Sequence, residues 1–209
     1  MTQPRLTVAK LRESVDILAS LDPDIRQIRD TVGYPPLWAR RPGFSTLVHI
    51  ILEQQVSLAS AKAAFDRLVA HTNPLTPESL LPISDAQMKS IGFSHQKTRY
   101  VRILAEAIQS GELNCQALNR MDDDKAREEL TKLIGIGQWT ADIYLLMILL
   151  RPDVWPLGDI ALANTMRKVK DLKERPDNDQ QLAIAEQWRP HRAIAARCLW
   201  HYYLSGYVR

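Results

Sequence analysis

Cysteine is nearly missing from this chain of 209 residues: only Cys115 and Cys198 occur, far apart and without metal-ligand spacing. That excludes a disulfide framework, a structural zinc site and a four-cysteine iron–sulfur cluster. Long apolar runs are missing too. None reaches the roughly 18 residues that a membrane span needs, so no membrane partner is expected. The opening "MTQPRLTVAKLRESV" lacks the apolar core of a signal peptide, which argues against secretion. No segment alternates apolar and polar residues as a half-buried strand would, and no repeat or heptad run points to self-assembly, so a monomer is expected. What is present is an ordinary globular balance, 45% hydrophobic and 24% charged. A net charge of +3 permits a nucleic-acid partner without requiring one.

Helical periodicity fills the space that strands leave. "FSTLVHIILEQQV" places Phe44, Leu47, Val48, Ile51 and Leu52 on one face after a Pro42-Gly43 break. "SLASAKAAFDRLVAH" follows as a second helix with Ser57 as its cap. "SDAQ" at 84–87 has the form of a capping box and opens a short helix ending at Gly92. Ser94 can cap the next helix, whose apolar face is Tyr100, Val101, Leu104, Ala107 and Ile108. "MDDDKAREELTKL" sets acids in a first turn, where the helix dipole favours them. Residues 170–181, "KDLKERPDNDQQ", read as a loop. The pattern predicts an all-α fold of about ten helices.

"LIGIGQWTADIYL" at 133–145 carries the first chemical signal. Helix 124–133, the turn "IGIGQ" and helix 139–150 make a helix–hairpin–helix. Gly135 and Gly137 can take positive φ or let another backbone approach closely. The free N–H groups that follow, around Gly137, Gln138 and Trp139, form a phosphate site able to hold a nucleic-acid backbone without reading its sequence. On the two glycines alone, a glycine cap between two core helices explains the turn equally well. The second signal is Asp159, a lone carboxylate in "WPLGDIAL", where Pro156 and Gly158 shape a loop that can present it at a helix start. By itself such an Asp reads as an N-cap.

Five segments taken in order change the weighting: "LVHIILEQQVSLASAKA", "IGFSHQKTRYVRILAEAI", "LIGIGQWTADIYL", "VWPLGDIAL" and "WRPHRAIAARCLWHYY". Together, from about Phe44 to Tyr203, they resemble the helix–hairpin–helix DNA glycosylases, in particular the alkylbase (3-methyladenine DNA glycosylase II) type in a compact form. The resemblance implies an all-α, two-lobed glycosylase fold with the active site between the lobes. Residues of about 1–40 and 152–209 would form one lobe and about 41–151 the other, with the helix–hairpin–helix at 124–150. It implies base excision repair by a monofunctional glycosylase that flips alkylated purines (3-methyladenine, 7-methylguanine class) out of duplex DNA and hydrolyses the N-glycosidic bond. A glycosylase for uracil or deaminated bases, or a non-catalytic module that binds damaged DNA, are the alternatives. The protein would work wherever the DNA is, cytoplasmic or in the nucleoid or nucleus.

Residue by residue, the resemblance assigns Asp159 as the catalytic carboxylate, stabilising an oxocarbenium-like sugar and orienting water. Trp139 and Trp200 match aromatic positions of the base pocket, where a cationic alkylated base is held by cation–π stacking. Either could instead be a buried core tryptophan. Ile143 stands where the family often has tyrosine, with Tyr144 beside it. Gln55, with Gln54 next to it, matches the wedge that fills the gap left by a flipped base, although both glutamines could simply cap a helix end. Backbone contacts fall to Gly135, Gly137, Gln138 and Thr140, with Ser57 and Lys97. Lys97 and Arg99 sit in a helix's first turn, a poor place for cations unless phosphate lies nearby or the face is merely solvated. Trp139 occupies the position of the Schiff-base lysine in strand-nicking relatives, so no lyase activity is implied. No cofactor is required. The carbonyls of Thr131, Leu133 and Ile136 match a Na+ or K+ site of relatives.

Overall fold

A computed structural model describes residues 5–208. Among them are twelve α-helices and one 3-10 helix, and no strand. The count exceeds the expected ten partly because α5 (Pro77–Leu80) has four residues, too few to leave a periodic signature. The chain divides into two compact units, one of Arg40–Tyr144 and one of residues 5–39 with 145–208.

In the first unit, α3 (Phe44–Glu53) packs against α4 (Leu58–Thr72) and α7 (His95–Ser110), and α6 (Asp85–Ile91) packs on both α4 and α7. Six of the ten α3 residues are buried, among them Leu47, Val48, Ile50 and Ile51, which makes α3 the centre of this unit. Ser57, Ser84 and Ser94 accept the N–H three residues on, as their local patterns predict. The Ser84–Gln87 capping box is complete, and Gly92 closes α6 in the left-handed conformation. After α8 (Asp123–Thr131), the unit ends within α9 (Gln138–Met147). The expected second hairpin helix thus stops three residues early. Leu150, at φ 56, lies outside it.

In the second unit, α12 (Arg192–Leu204) packs on α1 (Val8–Leu21), α2 (Pro23–Val32) and α10 (Ile160–Val169). Every residue from Ala193 to Trp200 is buried. A helix covered all round needs no polar stripe, and small residues such as Ala193, Ala195 and Ala196 let neighbours approach. Arg197 is buried with them and donates to the carbonyls of Ala193, Leu146 and Leu37. Burial lowers its pKa to about 10. Asp22 caps α2 and accepts from Trp188 Nε1 at 2.8 Å and Lys170 Nζ at 2.9 Å. Burial opposes its charge, but the hydrogen bonds from Trp188, Lys170 and the Asp24 N–H prevail and lower its pKa. The expected loop 170–181 is shorter than its composition indicated. Asp177 and Gln180 form a capping box, and α11 (Asn178–Glu186) begins inside the stretch. No helix among the described residues is long and apolar enough to cross a membrane.

Candidate functional site

The first unit carries the hairpin. Its legs are joined by an ion pair: Arg127 Nε on α8 meets Asp142 Oδ1 on α9 at 2.9 Å, and Asp142 is 1% exposed. Gln138 Nε2 donates to the other oxygen of Asp142 at 3.1 Å. The two glycines do different work. Gly135 has φ 98, and a Cβ there would meet the Tyr100 ring, with Cβ at 2.6 Å and Cδ1 at 2.7 Å. Only glycine fits this left-handed position against an aromatic ring. Gly137 needs no such conformation, and a Cβ there would meet nothing within 4 Å. It lies exposed just before the first turn of α9, at the end of the helix where the dipole favours an anion.

The turn between α3 and α4 is fastened to this hairpin. Gln54 Nε2 donates to Gly135 O at 2.8 Å and to Thr140 Oγ1 at 2.9 Å. Gln54 therefore cannot serve as a wedge in this conformation, and Thr140, 2% exposed, presents no side chain to a phosphate. Lys97 is also reassigned. Its Nζ donates to Leu52 O at 2.6 Å and Gln54 O at 3.0 Å, capping the carbonyl end of α3. The positive charge complements that end of the α3 dipole, which resolves why a lysine tolerates the first turn of α7. Burial lowers its pKa. Gln55 remains at the tip, exposed and held at φ 56, a left-handed conformation that a non-glycine residue adopts at a cost. Ser57 is exposed and caps α4.

Two further expectations from this stretch change. Ile143 and Tyr144 are 2% and 0% exposed, so neither offers surface to a base. Burial raises the pKa of Tyr144, and the neighbouring Cys115 thiol adds to the rise. Trp139 is half-buried at the start of α9. Thr131 is the last residue of α8, where last-turn carbonyls lack helical partners, and Leu133 and Ile136 follow it. Leu133 O already accepts the Ile136 N–H at 3.0 Å, leaving it one lone pair for a cation. Among the described residues, no group of three His, Cys, Asp or Glu could hold a metal ion.

The second unit carries the carboxylate. Asp159 is the N-cap of α10, its Oδ1 accepting the Leu162 N–H at 2.9 Å. The same oxygen accepts from Trp200 Nε1 at 3.2 Å. Two donors on one oxygen fix the plane of the carboxylate. Capping and a chemical role are thus compatible at Asp159, because both call for a carboxylate held at a helix start. Trp200 is 8% exposed and meets the edge of Trp38 at a centroid distance of 6.4 Å and 74°. Its hydrogen bond to Asp159 makes it a positioning group, beyond any contact it offers a base. Trp38 was not expected. It is held at φ 47 after the Pro35-Pro36 pair and also meets His201 edge-on at 6.3 Å. His201 Nε2 is 2.9 Å from Val32 O, which fixes that ring in turn.

Comparison with known proteins places the chain in a family. Residues 48–190 match the family described as HhH-GPD superfamily base excision DNA repair protein. DNA-3-methyladenine glycosylase 1 of Schizosaccharomyces pombe is 29% identical over 200 residues, covering 92% of this chain and 88% of its own length. A putative DNA-3-methyladenine glycosylase of Bacillus subtilis is 28% identical over 165 residues, 75% of this chain, which spans 58% of that longer relative. Among solved structures, S. pombe 3-methyladenine DNA glycosylase (Mag1) in complex with abasic DNA superposes with a TM-score of 0.84. It is 28% identical and covers 90% of this chain and 95% of its own. Cysteine scarcity, all-helical build, glycine hairpin and capped carboxylate converge with the family match: the chain belongs to the HhH-GPD superfamily of base excision DNA repair proteins.

Proposed function

We propose that this protein is a monofunctional DNA glycosylase that hydrolyses the N-glycosidic bond of alkylated purines in duplex DNA. The observation that carries the reading is Asp159, whose Oδ1 is fixed by Leu162 N–H and Trp200 Nε1. As the base departs, positive charge grows on the deoxyribose, and an oriented carboxylate stabilises it without reorganising. The same group orients the attacking water. No covalent amine step is involved, because the lyase lysine's position holds Trp139, so the strand stays intact.

Damaged duplex DNA is the partner, as in the S. pombe complex with abasic DNA. The N–H groups after Gly137 and around Gln138 hold a phosphate, while Gln55 fills the gap left by the flipped nucleotide. The half-buried indole of Trp139 favours a cationic base, which selects alkylated purines over uracil. A Na+ or K+ ion held by the carbonyls of Thr131, Leu133 and Ile136 would brace the turn. The protein acts as a monomer wherever the DNA is.

Incubation with methylated duplex DNA, followed by chromatography, tests the reading. Free 3-methyladenine and 7-methylguanine are the expected products, with the strand uncut until alkali is added and no adduct trapped by borohydride. Release of uracil alone would move the specificity to deaminated bases. Lesion binding without release would make the protein a damage-binding module.

A further inference from the structure

The α3–α4 turn and the hairpin are far apart in sequence, yet one side chain ties them together. Gln54 spans 81 residues to Gly135 O and 86 to Thr140 Oγ1, both from the same Nε2. Thr140 is itself buried, so the anchor on α9 is not a mobile surface group. The opposite side of the turn is gripped as well. Lys97 reaches from α7 to Leu52 O and to the carbonyl of Gln54 itself. Tyr100, one turn further along α7, packs its ring against Gly135, and its hydroxyl accepts from Gln96 Nε2 at 2.7 Å. Hairpin, turn and α7 thus share contacts at Gln54, Gly135 and Lys97, and Gln55 is the first residue beyond the clamp. Its left-handed φ of 56 is a conformation that needs surroundings to hold it.

We infer that Gln54 is a positioning residue: it fixes the reach of the Gln55 wedge relative to the phosphate-binding hairpin, so that backbone capture and gap filling act as one rigid element. This rests on the glycosylase reading and on Gln55 as the wedge. The physical reason lies in the hydrogen-bond donors. The amide of Gln54 satisfies a carbonyl at the left-handed hairpin glycine and a buried hydroxyl at once. A wedge that must enter the stack while the hairpin stays on the backbone gains from a fixed separation, because ordering it on binding would cost affinity. Undamaged DNA, which needs no wedge, is insensitive to that separation.

The test uses Gln54→Met, which keeps the volume and removes both donors, and Gln54→Glu, which keeps the shape and replaces the donor by an acceptor. Gln55→Ala and the double variant Gln54→Met/Gln55→Ala complete a cycle. Fluorescence anisotropy is measured on an undamaged duplex and on one carrying a tetrahydrofuran abasic analogue, at one salt concentration and below the lowest Tm in the set. Both Gln54 variants are expected to lose roughly ten-fold in affinity for the abasic duplex, the scale of a hydrogen-bonded group, and little for the undamaged one. The double variant should lose no more than Gln55→Ala alone, because a wedge that is absent cannot be mispositioned. With 2-aminopurine opposite the abasic site, the fluorescence change caused by insertion should shrink in Gln54→Met as in Gln55→Ala. Lower thermal stability with unchanged selectivity would make Gln54 a purely structural residue and overturn the inference. So would losses that multiply in the double variant. If Gln55→Ala itself leaves selectivity intact, the wedge reading fails first and the inference falls with it. If Gln55→Ala costs selectivity and Gln54→Met does not, only the inference fails.

Discussion

Replacing Trp200 by Phe separates the two things the indole does. Phenylalanine keeps an aromatic face against Trp38 and removes the Nε1 donor that reaches Asp159 Oδ1 at 3.2 Å. A hydrogen bond to a charged group contributes about 1.5–3 kcal/mol. At 3.2 Å the lower end applies, and the Leu162 N–H at 2.9 Å continues to hold the same oxygen. About 1.5 kcal/mol of lost orientation corresponds to roughly a ten-fold slower chemical step. The assay is single-turnover release of base from a methylated duplex, with enzyme in excess, and thermal melting as a control for folding. An unchanged rate would show that the indole N–H does not orient the carboxylate. A rate as low as that of a variant lacking the carboxylate's charge would show that Trp200 does more than orient. Either result rules out a purely orienting role for the indole N–H.

The two hairpin glycines should part company on mutation. Gly135→Ala forces a Cβ into the Tyr100 ring at a left-handed φ, and Tm should fall on the order of 10 °C. Gly137→Asp, with open space around it, should fold normally yet weaken binding to damaged and undamaged duplex alike, because phosphate contacts position without specifying; anisotropy reads both. Asp22 has a lowered pKa, so its contribution to stability is present above the ordinary carboxylate range and is lost as pH falls through its folded value. Asp22→Asn should accordingly lower Tm at pH 7 and flatten the acid limb of the melting profile; equal loss at every pH would contradict the assignment.

Local chemistry made much of the fold legible, and distance in sequence hid the rest. Ser57, Ser84, Ser94 and the acids at 122–124 act within one helical turn, so their capping roles can be read from a few letters. The Asp177–Gln180 box is equally local, but the charged, proline-containing run around it masked it as loop. Gly135 and Gly137 announced the hairpin, although nothing nearby says that one is required by Tyr100 and the other is open. The bonds that Gln54, Thr140 and Lys97 make were not foreseen for one shared reason. Their partners lie more than forty residues away, and sequence showed them as polar side chains beside a DNA motif. Trp38 left even less trace. Its neighbour Trp200 is brought up by tertiary packing, and a tryptophan after two prolines carries no periodicity of its own.

The glycosylase reading turns on the charge of Asp159, which Asp159→Asn removes. Asparagine is as good an N-cap as aspartate, so its Oδ1 can still accept from Leu162 N–H and Trp200 Nε1, and the start of α10 should hold. The negative charge is removed, and an NH2 donor replaces Oδ2. Single-turnover release of 3-methyladenine from a methylated duplex should fall by at least a hundred-fold, the scale of about 3–4 kcal/mol for a preorganised electrostatic group, while affinity for an abasic duplex and Tm stay near wild type. Base release close to the wild-type rate would show that Asp159 is a helix cap and nothing more.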